Sequence, residues 1–224
     1  MIIFPKGLAP RIIDLHLSPR SKSSGESLNG YEQIGDPISQ KWRVTLTFNT
    51  LKREFILPYR AFLAKTRGRS GVIKLPVFDK QLWPKGMDIG IAKVIPRESF
   101  WSGLTDAGEV VDVAAVVSGD LGDKEVEVDL GAISEPWRVF FPGHYFGVGD
   151  NLHIATDISW VGSVATITFE PSLREDAVDA AFRLRPYLIC SLAEDESGRH
   201  PLELGLRTAP QLDLVELTPE ERPA

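Results

Sequence analysis

The sequence predicts a mainly β protein: an N-terminal β-rich unit with one helix and a long arm, followed by a β-sandwich or barrel-like unit. Three observations predict it. Hydropathy alternates with a period of two in several segments, most clearly over residues 41–48. A single helical stripe runs through residues 55–66. From residue 110 onward, short apolar runs recur at close spacing between Gly- and Asp-bearing turns.

The elements follow in order. In residues 11–17, Ile13, Leu15 and Leu17 alternate with Asp14 and His16, so this strand buries one face. Residues 18–40 are rich in Ser, Gly, Asn and Pro and read as an extended arm or a long hairpin. The next strand turns Trp42, Val44, Leu46 and Phe48 inward and Lys41, Arg43, Thr45 and Thr47 outward. Phe55, Ile56, Tyr59, Phe62, Leu63 and Thr66 then share one helical face, with Lys65 and Arg67 complementing the helix dipole and Gly68 as the stop. Pro58 either kinks this helix or marks its first turn, near Leu57. Residues 72–75 read as a strand. Residues 80–108 form a connecting segment with little periodicity.

Further strands are expected at 110–117, 125–130, 139–141, 145–148, 152–155, 165–169, 182–192 and 211–217, with a turn at Gly147–Asn151. The domain reading is therefore 1–79 with its arm at 18–40, a connector at 80–108, a sandwich or barrel at 109–217, and a flexible polar tail at 218–224.

The chain has 224 residues, with 43% hydrophobic and 25% charged, which fits a globular protein able to bury a core. One cysteine, Cys190, excludes an internal disulfide framework, and its apolar strand makes it a core residue. No apolar run is long enough for a membrane span, and the N-terminus does not read as a secretory signal. The net charge of -6 hides an asymmetry. Residues 1–80 hold 14 Lys and Arg against 6 Asp and Glu; residues 81–224 hold 11 against 25. Such polarity favours attraction between copies. The basic charges are spread along strand positions, not clustered with aromatics, which argues against sequence-specific nucleic-acid binding.

The motifs of catalysis and metal binding do not assemble. His16, His144, His153 and His200 make no H-x-x-x-H or H-E-x-x-H pair. His144 and His153 flank the Gly147–Asn151 turn, where Asp150 or Asp157 would be needed to complete a metal set. Gly147-Val148-Gly149 lacks the third glycine and helix of a dinucleotide fingerprint. Glu125 and Glu127 share one strand face, as solvated carboxylates do. Trp83, Trp101, Trp137 and Trp160 are the candidates for stacking on sugar rings. The reading is of a protein that is not an enzyme and has no cofactor and no bound metal.

Six stretches, in order, resemble tail-tip proteins of the distal tail or minor tail type from long, flexible-tailed phages and prophages. Residues 23–33 are similar to the family's S-x-x-x-G-x-x-Q arm, and residues 41–48 to its x-R-W-x-x-x-L-T strand with basic residues flanking Trp42. Residues 59–71 (Tyr-Arg-Ala-Phe-Leu-Ala-Lys-Thr-Arg-Gly-Arg-Ser-Gly) are similar to its W-R-A-F-L-x-x-L-R-G-R-x-G helix end. Residues 143–150 resemble a G-x-x-F-x-x-G-D turn. Residues 167–174 resemble I-x-P-P-L-R, with Glu170 for the first Pro, and residues 185–192 resemble the final strand. Pro58 and the segment 80–108 depart from the pattern.

The resemblance implies a structural subunit of a tail tip or baseplate, made in the bacterial host cytoplasm and carried in the virion tail. It implies a homo-oligomeric ring, a hexamer, joining the tail tube protein to tail hub and tail fibre proteins, with a host surface glycan as a further partner and no membrane. The expected interface residues are Arg20, Lys22, Tyr31, Gln33, Arg67 and Arg69 on the basic side and Glu125, Glu127 and Asp129 on the acidic side. The alternative is a carbohydrate-binding adhesion module, which requires two or more exposed tryptophans on one face.

Overall fold

A computed structural model describes residues 1–5, 8, 10–18, 22–26, 32–35, 40–49, 51, 53–77, 115–131, 136–138, 140–199 and 209–222. The expected connector 80–108 lies outside them. The fold is mainly β: a mixed sheet with one helix near the N-terminus and a nearly closed, barrel-like antiparallel sheet of six strands. The mixed sheet consists of β1 (Ile2–Ile3), β6 (Ile73–Pro76), β13 (Tyr187–Leu192), β14 (Gln211–Glu216), β5 (Lys41–Phe48) and β2 (Pro10–Ser18). The chain divides into two compact units, 1–8 with 71–190 and 217–224, and 9–70 with 191–216.

In the second of these units β5 is the middle strand. β2 pairs with it on one side and β14 on the other, both antiparallel. The alternation read from the sequence holds: Trp42, Val44, Leu46 and Phe48 are buried, and Leu46 and Val44 face Leu212 and Leu214 across the ladder. On the opposite face Thr45 Oγ1 donates to Asp213 Oδ1 at 2.7 Å. β2 is a sheet edge, and its inward residues Ile13, Leu15 and Leu17 are half-buried. Beyond β2, β3 (Lys22–Glu26) pairs antiparallel with β4 (Glu32–Gly35), so the described part of the arm is a hairpin.

The helix α1 spans Arg53–Thr66. Pro58 sits inside it and marks neither a first turn nor the start. Half-buried Phe55 and Ile56 anchor a turn upstream of the proline, so the helix forms at the cost of one N–H donor. Tyr59, Phe62 and Thr66 are its buried side, and the Tyr59 ring meets Phe48 edge to face at 5.7 Å. Arg67 and Gly68 then turn left-handed, with φ of 49° and 70°. A Cβ on Gly68 would lie 2.5 Å from Asp195 Oδ1, whose partner is the Arg69 N–H at 2.9 Å. The glycine stop thus serves both the backbone and a close approach.

The barrel-like sheet runs β7 (Ala115–Gly119), β12 (Ala177–Arg183), β9 (Tyr145–Val148), β10 (Asn151–Val161), β11 (Val164–Glu170), β8 (Glu125–Asp129). β7 and β8 are consecutive in sequence and joined by a tight turn, which brings the two ends of the sheet together. Gly149 and Gly162, at φ of 58° and 65°, each take the first position of a two-residue hairpin loop. That position in a II′-type turn requires positive φ. Phe140, Phe146, Phe169 and Phe182 fill the interior, with Phe146 stacked on Phe182 at 5.4 Å and edge to face with Phe169 at 5.6 Å. Val126, Val128, Ala165 and Ile167 complete the inner face of β8 and β11.

Three expectations need correction. The run 182–192 is two strands, because Pro186 has no N–H to give a ladder and divides β12 from β13. Phe140 and Phe141 are not in a strand. A 3-10 turn at Pro136–Arg138 precedes them, Phe140 N–H donates to Pro136 O at 3.1 Å, and Phe141 N–H donates to His144 Nδ1 at 3.0 Å. Two prolines, Pro136 and Pro142, bracket this segment and favour turns over a ladder. The polar residues Thr218 to Arg222, read as a fraying tail, form a 3-10 turn with a capping box between Thr218 and Glu221. Arg222 ties it down by donating to Leu217 O, Asp150 O and Asn151 Oδ1, the last at 2.7 Å.

Candidate interaction site

The strict alternation of residues 125–129 places Val126 and Val128 in the core and Glu125, Glu127 and Asp129 on the outside. The pairing register decides what stands beside them. β11 lies between β8 and β10, and three rows cross the outer face: Glu125, Thr168 and Asp157; Glu127, Thr166 and Ser159; Asp129, Val164 and Val161. The outcome is a sheet face with four carboxylates at its margins, small hydroxyl side chains between them and two valines at one end. Val161 is 80% exposed.

Asp129 has a second task. Its Oδ1 accepts from Ser163 Oγ at 2.7 Å and from the Gly131 N–H at 2.9 Å, and these bonds hold its carboxyl below the usual range. It fastens the β10–β11 turn to the end of β8. Lys124, at the other end of the face, pairs with Glu170 at 2.8 Å.

The basic residues Arg67 and Arg69 are exposed at the end of α1. The same helix exposes Leu57, Ala61 and Lys65, which share one face at the i, i+4, i+8 spacing. Lys22 and Gln33 lie on β3 and β4. Arg20 and Tyr31 lie outside the described residues. Glu125, Glu127 and Asp129 therefore come together as one surface, and Arg67 and Arg69 as another. Asp157, Val161, Val164 and Lys65 join these surfaces without having been anticipated. Lys65 was legible from helical spacing; Asp157 was not, because cross-strand register is invisible in a single strand.

The histidines do not converge. His153 faces Phe146 across the β9–β10 ladder, not His144. It is buried in the aromatic core, 4.8 Å from the Phe169 ring, and its Nδ1–H donates to Pro171 O at 2.8 Å. Nε2 has no hydrogen-bond partner among the described residues. Burial, which disfavours the imidazolium, pushes its pKa down to about 4, with Arg174 adding to the fall and the Pro171 carbonyl opposing it. Among the described residues no three His, Cys, Asp or Glu gather to hold a metal. Cys190 is buried, its thiol near Ile73 O at 3.7 Å.

Tyr187 is a second buried polar centre. Its hydroxyl donates to the Asp150 carboxylate, Lys74 Nζ stands 3.8 Å from its ring centroid, and Arg183 donates to Gly149 O at 3.0 Å. Burial and the Asp150 charge raise the phenol's pKa, so it remains a hydrogen-bond donor that locks the β9–β10 turn. An open groove of about 830 Å³ lies along β5 and β14. Arg43 and Arg199 alternate there with Glu194, Glu196 and Asp213, a mixture that favours neither sign of ligand.

No protein-family model and no curated protein matches the chain.

Proposed function

We propose that this protein is a structural subunit of a phage tail tip, a ring-forming piece that joins the tail tube to the adsorption apparatus. The observation that carries the reading is the set of six stretches, in order, that resemble the distal and minor tail proteins. The architecture is compatible with it: a helix-bearing sheet with an antiparallel strand pair at residues 22–26 and 32–35, then a barrel-like sheet. A ring needs heterologous interfaces, in which one surface meets a different surface on the next copy. Surfaces of opposite sign and an added strand at a sheet edge are two devices for making them. The edge strand β2 and the exposed ends of α1 and β8 offer both.

The sugar-binding alternative needs tryptophans sharing an exposed face. Trp42 is buried and Trp160 packs against the barrel core; among the described residues Trp137 is the exposed one, at 44%. Trp83 and Trp101 lie outside them.

Disrupting the gene in the phage or prophage that encodes it tests the reading. The expected result is particles that lack a finished distal tail and are restored by the gene in trans. Infectious particles with an intact tail end and no trace of the protein would overturn it.

A further inference from the structure

We propose that the acidic outer face of β8, β11 and β10 receives the exposed face and basic end of α1 from a second copy of this chain. The pairing rests on the ring reading above and names the surfaces that make it.

Charge and shape both support this occupant. Glu125, Glu127 and Asp157 surround a carpet of Thr and Ser, with Val161 and Val164 at one end. α1 presents the matching sequence of chemistry along its exposed side: Leu57, 68% exposed, then Ala61, then Lys65, with Arg67 and Arg69 beyond. Lengths agree as well. Leu57 to Lys65 spans about 12 Å at 1.5 Å per helical residue. Glu125 to Asp129 spans about 13 Å at strand rise. When Leu57 rests on the valine end, Lys65 comes level with the Glu125 end. Small Ala61 lets the helix lie close over the Thr166 row. Apolar contact then sets the register, and the exposed charges speed and orient the encounter. Because those charges face water, the association weakens as salt rises.

The test uses the full chain and sedimentation-velocity ultracentrifugation at low salt. One variant carries Glu125→Lys with Glu127→Lys; the other carries Lys65→Glu with Arg69→Glu. Asp129 is left alone because it fastens a turn, and Arg69 holds Asp195 through its backbone, which the substitution keeps. Each variant alone sets like charges against each other and should lose at least tenfold of the assembled fraction. Mixed in equal amounts, the two should regain it, because each reversed surface meets its opposite on the other variant. The neutral pair Glu125→Gln with Glu127→Gln should fall between, and circular dichroism checks that all variants are folded. Variants that assemble like the parent chain, or a mixture that stays apart, would overturn the pairing while leaving the ring reading to the gene disruption. A parent chain that stays monomeric at low salt and high concentration would overturn the pairing too.

Discussion

His153 shows how one side chain ties the barrel's stability to acidity. The folded chain holds it neutral down to about pH 4, whereas an unfolded chain protonates it below its ordinary value of 6.5. The unfolded state therefore binds more protons between these limits, and stability falls as pH drops from 6.5 towards 4. Above 6.5 the contribution is complete; below 4 both states are protonated and nothing more is lost. The shift corresponds to about 3 kcal/mol, on the scale of 1.36 kcal/mol per pKa unit. Urea unfolding across this range should show a steeper decline in the parent chain than in His153→Gln, by about one proton at mid-range. Equal slopes would show that the imidazole titrates freely. Nothing in the sequence marked this residue as internal. It follows Asn151 and Leu152 in a stretch buried at three consecutive positions, which breaks the period of two.

Turns and strands respond differently to the same substitution, and two glycines separate the causes. Gly149 has φ of 58° but room for a Cβ, whose nearest neighbour is Ala180 Cβ at 4.0 Å. Gly149→Ala should cost about 1 kcal/mol, the strain of a left-handed backbone alone. Gly198 has φ of 80°, and a Cβ there would lie 2.7 Å from Leu212 Cδ1 and 2.9 Å from Tyr59 Oη, the hydroxyl that donates to the Gly198 carbonyl. Gly198→Ala adds overpacking between β14 and α1 and should cost about 3 kcal/mol. The urea midpoints of the two variants measure the difference; equal losses would contradict the packing argument. At this scale the sequence was informative wherever one element decides its own fate. The inward face of β5, the Gly149 turn, the Gly68 stop and the strict alternation of β8 were all legible. The longer elements were less so. Pro58 left open a kink or a helix start, the latter because a proline's missing donor is cheapest there, and upstream Phe55 and Ile56 carried the helix back to Arg53. β10 extends to Val161 because a bulge near Asp157 lets it continue past the expected end at 155.

For the whole molecule, chain order and architecture part company. β13 and β14 lie in the segment read as one sandwich or barrel, yet both belong to the mixed sheet. Long-range pairings of this kind leave no local signature, so a linear division of the sequence could not find them. The charge asymmetry was visible from composition, but only the register of β8, β11 and β10 turned scattered carboxylates into a surface. On the proposed function, this surface and its basic counterpart serve assembly at the end of a tail. A cryo-electron microscopy map of the particle that carries the protein tests this most directly. The expected density is a closed ring of copies at the distal end of the tube. A map in which that density is built entirely from other chains would contradict it.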